Sequence, residues 1–499
     1  MAFVRTVKTA SGAIAVQIVY SNRKGARTID HIGSAHTEAE VAALKSVAAQ
    51  RLSARQGELD FGLAAAPPGG ALPITSSRMA VLWDALEGIY RELGFADAVG
   101  GDTVFRDLVL ARIIEPTSKL DSLRVLDEVG VQGPSYATVK RRLPVYAQAD
   151  WRGRLAAACA AHAGLGPASL VLYDVTTLYF ETDTADGFRE PGFSKERRLE
   201  PQITVGLLTD ATGFPLMIEA FEGNKAETLT MVPTITSFMA SHQLTDVTVV
   251  ADAGMISAAT MAAIEAAGLT FILGDKMPSV SYKIDQWRQK HAGADPPDGL
   301  TLTQPFPANA KTSFKKNRVT YYRFSHDRAR RSRRGINEQV SKAERAVKGQ
   351  IPVKRNRFVT LAGADKSVNR ELAEKARTLA GWKAYTTNID NPDPDFVIGA
   401  YHQLWRIEKS FRMSKSDLAA HPIYHHTEDS IRAHLAIVMA ALAITRTLEA
   451  RTGWSTKKFT TTARRYRTVT IRAGNQTLTA ADPLDPDLAT ALVALQGGH

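Results

Sequence analysis

Three carboxylates, Asp174, Asp252 and Glu408, stand where their type and placement could do chemistry. Asp174 interrupts an apolar, β-branched run of strand length, LVLYDVTTLYF. A charge in such a strand must be paired or must coordinate a metal to offset its burial. Asp252 closes a second run, VTVVAD, and Gly254 follows closely enough to permit a tight turn into the next helix. In open α/β sheets, ligands and metals gather just beyond the carboxyl ends of strands. A helix N-cap is the other common job for an Asp at such a turn. Glu408 lies in YHQLWRIEKSFRMSKSDL, where Tyr401, Glu408 and Lys415 recur at seven-residue steps. On a continuous helix they share one face, with about 20° of drift per step. Arg412, four residues after Glu408, borders that face. An acid flanked by cations suits a metal ligand working beside phosphates. The plainer account is a surface helix with a Glu408–Arg412 pair worth a few tenths of a kcal/mol. It leaves Trp405 and Phe411, close to the same stripe, unexplained unless both are core residues.

The elements that must position these residues follow from the hydrophobic pattern. At 499 residues the chain is too long for one core, and 44% hydrophobic with 23% charged residues excludes wholesale disorder and fibrous repeats. The first residues alternate around a Ser-Gly turn and predict a β-hairpin, followed by a helix over 37–52 and a linker, AAAPPGGALP. Residues 76–163 have a helical pattern. Two of its helices, VFRDLVLARIIEP and SYATVKRRLPVYA, are compact, and the second carries Lys140, Arg141 and Arg142. That pair is compatible with helix-turn-helix reading of DNA, and equally with a solvated basic face. From Leu170 three strand-length runs are followed by helix, strand, helix, strand, a mixed α/β layout. The alternation stops after Asp275, resumes with WKAYTTN near Trp382, and leads into long helices over 395–418 and 428–451. The expected domains are 1–63 (hairpin plus helix), 74–165 (helical, DNA-binding), 168–275 with 381–452 (catalytic), 276–380 (basic insertion) and 453–499 (tail).

Charge narrows the partner. The chain has 62 Lys and Arg against 51 Asp and Glu, a net of +11, and a pI near 9.5. Residues 311–360 hold 16 Lys and Arg against 3 Asp and Glu, a net of +13, so the other 449 residues are near neutral. Arg330, Arg331, Arg333 and Arg334 are its densest part, and Tyr321, Tyr322 and Phe324 interleave with the cations. Such a patch suits a nucleic-acid backbone and unstacked bases. The longest apolar run, between Arg432 and Arg446, is too short for a spanning helix, and MAFVRTVKTA has no signal-peptide core. A soluble chain that stays inside the cell is therefore expected. The single cysteine, Cys159, excludes internal disulfides and reads as a small core residue. His421, His425, His426 and His434 straddle a Pro and a helix start with no Cys nearby, a poor zinc pattern. Glycine-rich nucleotide loops are absent.

Taken together, LYDVTTLYF, VVADAGM, the hairpin GFSKERRLEPQITVGLLTDATGFPLMIEAFEGNKAE and the Tyr401–Glu408–Lys415 spacing resemble the DDE transposases of bacterial insertion sequences. The resemblance covers about 170–451, with ARIIEPTSKLDSL upstream. It is to those members whose glutamate helix reads Tyr-x-x-Arg-x-x-x-Glu-x6-Lys. Leu404 occupies the Arg position, and Arg406 stands about 200° round the helix from it.

The resemblance implies a ribonuclease-H-like α/β domain in which Asp174, Asp252 and Glu408 hold two Mg²⁺ ions, with Mn²⁺ able to substitute. Ions about 3.5–4 Å apart would activate a water or 3′-hydroxyl and stabilise the leaving oxygen. It further implies phosphate contacts from Arg412, Lys415 and Tyr401, and a base contact from an aromatic near the insertion's end, for which Trp382 is the candidate. The implied partner is double-stranded DNA, as terminal inverted repeats and target, bound by a synaptic homodimer in the bacterial cytoplasm, at the nucleoid. The alternatives are an inactive or domesticated DNA-binding protein and a metal-dependent nuclease that cuts without joining.

Overall fold

The computed structural model describes residues 2–9, 12–21, 27–54, 72–166, 169–182, 184–192, 200–226, 229–242, 244, 246–252, 257–307, 317–352, 356–362, 365–421, 423–473 and 476–496. The chain forms two compact units, Ala163–Phe411 and the combination of Met1–His162 with Arg412–His499.

The unit Ala163–Phe411 is built on an eight-stranded mixed sheet. Its strands are β1 (Ser169–Tyr179), β2 (Gln202–Asp210), β3 (Pro215–Glu222), β4 (Val247–Ala251), β5 (Thr270–Asp275), β6 (Thr301–Phe306), β7 (Arg318–Phe324) and β8 (Trp382–Thr387). They lie in the order β6-β7-β8-β5-β4-β1-β2-β3. The first three form an antiparallel meander, β4 and β5 run parallel to β1, and β8, β7 and β6 return antiparallel. Every residue of β4 is buried. A strand covered on both faces needs an unbroken apolar run such as VTVVA. Helices Met231–His242 and Ala258–Ala266 make the two crossovers, the second capped by Ser257, whose hydroxyl accepts the Thr260 amide at 3.0 Å.

The stretch 276–380 is not a self-contained insertion, which corrects that expectation. Its strands β6 and β7 extend the main sheet through β8, with Tyr321 opposite Tyr385 and Phe324 opposite Trp382. The physical reason is that RVTYYRF is buried over most of its length in spite of its two arginines. The remainder gathers separately. Helix His326–Val347, the hairpin Val359–Ala362 and Asp365–Val368, and helix Arg370–Leu379 share a core of Ile336, Val340, Ala343, Phe358, Ala373 and Ala380.

In the other unit, strands Ala2–Lys8 and Ile14–Ser21 pair antiparallel, and a third strand, Arg27–Ala35, adds to them. Helix Glu38–Ala54 closes that sheet over Val16, Ile18, Ala35, Val41 and Ala48. The unit's core is helix Glu428–Thr452. By length and composition it could cross a membrane, but 89% of its most apolar window is buried inside the protein. A helix apolar on all sides needs partners all round. These are helices Ala80–Glu92, Thr103–Ile114, Tyr136–Ala147 and Pro486–Gln496. The expected boundary at 452 therefore falls in the wrong place, since 412–452 packs with the N-terminal helices. Nor is 453–499 a tail: Thr468–Ala473 pairs with Gln476–Ala481 on one side and with Ile74–Arg78 on the other. The two helices read as a possible helix-turn-helix are not consecutive, because Ser122–Glu128 stands between them. Cys159 is fully buried, and burial pushes its thiol pKa up, as suits a core residue.

Candidate active site

β1 and β4 pair in parallel from Ser169 opposite Val247 to Leu172 opposite Val250. Continued two residues at the same offset, that register sets Asp174 level with Asp252, just where β4 has ended. β1 runs on, paired with β2 as far as Tyr179, so Asp174 stands on a strand flank that its other neighbour has vacated. This spares the carboxylate full burial. Asp174 is half-buried and accepts the Val175 amide at 2.8 Å, while Asp252 is exposed. The Gly254 turn lies outside the described residues.

Helix Pro394–His402 brings Tyr401 to Asp252. It begins with Pro at its first position, and Asp393 caps it by accepting the Phe396 amide at 3.1 Å. Tyr401 is only 4% exposed and donates its hydroxyl to the Asp252 carboxylate. Its ring lies so close to β5 that a Cβ on Gly274 would come within 2.6 Å of it, so the strand must carry glycine there. Tyr385 meets the same ring edge-on at 5.0 Å. The Lys383 ammonium sits over it at 4.2 Å.

Lys383 is the residue that sequence reasoning missed. Burial lowers its pKa, and the Asp252 and Glu408 carboxylates oppose that shift, so both acids act on one ammonium. Tyr401 responds to the same pair: burial raises its pKa first, then Asp252, with Glu408 adding to it. Trp382, the expected base-contact aromatic, is one residue away and therefore points to the other face of β8. It is 5% exposed and packs edge-on against Phe324 at 5.3 Å in a core with Ile284 and Ala384. With its ring enclosed, Trp382 is a packing residue, which corrects the expectation. Alternation along WKAYTT was the available signal, since Lys383 and Tyr385 share a face.

Glu408 is exposed on helix Leu404–Arg412, whose Leu404, Ile407, Ser410 and Phe411 are buried. That inner face is fastened to the turn between β2 and β3. The Arg406 guanidinium donates to the Ala211 carbonyl at 3.2 Å, and the Ser410 hydroxyl to the Gly213 carbonyl at 2.7 Å. Leu404, standing where the related motif has Arg, is thus a packing residue. The expected continuous helix over 395–418 is broken into Pro394–His402, Leu404–Arg412 and a π-helical turn, Met413–Asp417. A π turn is wider than an α turn. The seven-residue step from Glu408 to Lys415 consequently does not keep them on one face. Arg412 is exposed and Lys415 half-buried, and both belong to the other unit.

Among the described residues no group of three or more His, Cys, Asp or Glu is gathered as a finished metal site. The donor set nonetheless suits a hard divalent cation. The β1–β4 register, continued past its last pair, sets Asp174 level with Asp252, and Glu408 shares a field with Asp252, so carboxylate oxygens are what these three residues offer.

The expected DNA-contact residues elsewhere divide into free and committed cations. Arg141 is exposed on helix Tyr136–Ala147, Lys140 is exposed with its ammonium 4.9 Å over the Tyr136 ring, and Arg142 is ion-paired with Asp102. On helix His326–Val347, Arg330 pairs with Asp327, Arg333 with Asp295 and Arg334 with Glu338, while Arg331 donates to the Asp327 carbonyl. Arg318 is consumed in a buried pair with Glu265. The net charge of the basic run therefore overstates its free charge, because acids outside it (Glu265, Asp295, Asp395) neutralise part of it. Lys311, Lys315, Lys316, Lys354 and Arg355 lie outside the described residues. On the outer face of the helix Arg331, Arg334, Lys342 and Arg345 remain exposed, interrupted by Glu338.

No curated protein matches the chain. Among solved structures, the piggyBac transposase in its cryo-EM synaptic complex with hairpin DNA shares 11% identity, with 77% of this chain and 69% of that one covered. The TM-score is 0.37, a likeness too loose to bear on the site. The family profile of the transposase DDE domain, by contrast, matches residues 165–444. That span is more than half of the chain and takes in Asp174, Asp252, Tyr401, Lys383 and Glu408. The chain belongs to the DDE transposase family.

Proposed function

We propose that this transposase cuts the ends of an insertion sequence at terminal inverted repeats and joins the freed 3′-hydroxyls to target DNA. The observation that carries the reading is the register that sets Asp174 level with Asp252 at the end of β4, with Glu408 acting on the same lysine. The mixed sheet of Ala163–Phe411 is consistent with a ribonuclease-H-like core. Asp174, Asp252 and Glu408 would hold Mg²⁺ or Mn²⁺. Bound there, two such ions supply an activated water or 3′-hydroxyl and a charge sink for the leaving oxygen. Tyr401 positions Asp252 through its hydroxyl. Lys383 offers an ammonium to phosphate oxygens beside the carboxylates, and Arg412 and Lys415, in the other unit, are proposed as further phosphate contacts. A synaptic homodimer acting on two DNA ends, at the bacterial nucleoid, completes the proposal.

Incubating the full chain with its flanking end sequences and Mg²⁺, and resolving products by strand, tests it. Joined products are expected. Cut ends that never join would favour a plain nuclease. Binding with no cutting would favour an inactive DNA-binding protein, the reading that Leu404 in place of Arg supports.

Two further outcomes follow from the site. In K383M, end cleavage is expected to slow by about a hundredfold, the usual effect of removing one charge-stabilising donor, with K383R recovering part of it. Cleavage at the wild-type rate in K383M would show that Lys383 only packs on Tyr401. Replacing Arg331, Arg334, Lys342 and Arg345 with alanine should flatten log K against log[salt] by up to roughly 3–4, at about 0.9 for each phosphate no longer neutralised. An unchanged slope would remove that helix face from the DNA path.

A further inference from the structure

The segments ARIIEPTSKL and HPIYHH, far apart in the sequence, meet inside the unit of Met1–His162 and Arg412–His499. Arg112 is buried and donates to the carbonyls of Leu418 at 3.1 Å, Ala419 at 3.2 Å and Thr117 at 3.0 Å. Lys119, only 6% exposed, bonds through its ammonium to Nε2 of His425. The His425 ring lies 5.5 Å from that of His434, whose Nε2 bonds the Ala420 carbonyl at 3.2 Å. His434 Nδ1 is buried with no partner.

Among the described residues, none of these four packed basic side chains is paired with a carboxylate. Of the acids near the two segments, Glu115 is paired with Arg124 and Arg464, Asp121 with Arg124 and Thr117, and Glu428 with Arg432. In Lys119, His425 and His434 burial is the first cause of a lowered pKa, and the neighbouring basic groups add to it. Burial lowers the pKa of Lys119, with Arg112 adding to it. His425 is pushed down to about 3 by burial and then by Lys119, Arg112 and His426. Burial likewise lowers His434, followed by Lys119, Arg112 and His425. Arg112 cannot shed its proton in a protein, and backbone carbonyls offer dipoles but no countercharge. Lys119 has three ammonium hydrogens and one of them on His425. On both segments the flanking residues Ser118, Leu120, Tyr424 and His426 are exposed, so the cluster lies just beneath the surface.

We infer that Arg112, Lys119, His425 and His434 form an anion site for a DNA backbone phosphate, separate from the carboxylates that do the chemistry. A phosphate would supply the missing charge and accept from Lys119, with His425 turning to share it. The choice of DNA over free phosphate rests on the transposase reading; the need for an anion does not.

The test compares wild type, K119M and D174A as full chains, by end-DNA affinity across a salt series and by thermal shift with inorganic phosphate. In K119M the slope of log K against log[salt] is expected to flatten by about 0.9, the value of one phosphate contact, with weaker binding at every salt concentration. D174A should keep both the slope and the affinity. The melting temperature of K119M without ligand reports that it has folded, and H425Q is the second variant should K119M not fold. An unchanged slope in a folded variant overturns the site and leaves the transposase reading standing. If the wild type binds no DNA, the transposase reading fails. Phosphate stabilisation of wild type but not K119M would then still support the anion site, with free phosphate as its ligand.

Discussion

Replacing Asp174, Asp252 or Glu408 with alanine is expected to abolish metal-dependent nicking of end DNA, lowering the rate on the order of 10³-fold or more, while DNA binding stays close to wild type. The three residues sit on different elements, a strand flank, a strand end and a helix, and none is part of the hydrophobic core. Their loss should therefore cost chemistry and not fold. Asp252→Asn is the sharper variant. The amide keeps an oxygen for the Tyr401 hydroxyl but loses the charge, so cleavage should fail with the Tyr401 contact preserved. Tyr401→Phe removes the contact and keeps the charge, and should leave measurable cleavage. If all three alanine variants cut like the wild type, the chemistry lies elsewhere on the chain.

The second large effect is on stability. Arg318 opens β7 and pairs with Glu265 of helix Ala258–Ala266 at 2.8 Å, with the two side chains 2% and 1% exposed. One Glu265 oxygen is already buried without a partner. Arg318→Met leaves the carboxylate buried and unpaired, at a cost of about 3–5 kcal/mol. Thermal melting followed by circular dichroism should show a clearly lowered transition. Changing Glu265 to Leu as well should recover most of it, because two well-packed apolar groups replace a pair whose desolvation was barely offset. A single R318M variant that melts with the wild type would mean that water reaches the pair.

What could be read from the chain, and what could not, divides along physical lines. Apolar runs with an acid inside or at the end marked β1 and β4, because burial on both faces forces an unbroken pattern. Their register was not legible, as parallel pairing depends on partners distant in sequence, and it is the register that brings Asp174 beside Asp252. At β8 the strand was visible but its facing was not, and it is Lys383, with Trp382 turned into the core, that holds the position beside the carboxylates. The π turn after Arg412 escaped because a seven-residue step looks the same before and after a local widening of the helix. β7 was masked by the surrounding cations, and β6 by its short, half-polar run, TLTQPF. Helix Glu428–Thr452 was legible as a long helix, but its burial on all sides was not, because that depends on partner helices distant in sequence.

Asp174, Asp252 and Glu408 are proposed to form one metal-dependent site. Mn²⁺ titration of the full chain, followed by electron paramagnetic resonance, tests it most directly, since it reads the metal without requiring DNA or turnover. The wild type is expected to take up about two ions per chain, the number in-line phosphoryl transfer between two metals requires. D174A and D252A should each lose at least one of them. Uptake that is the same in both variants as in the wild type would contradict the assignment.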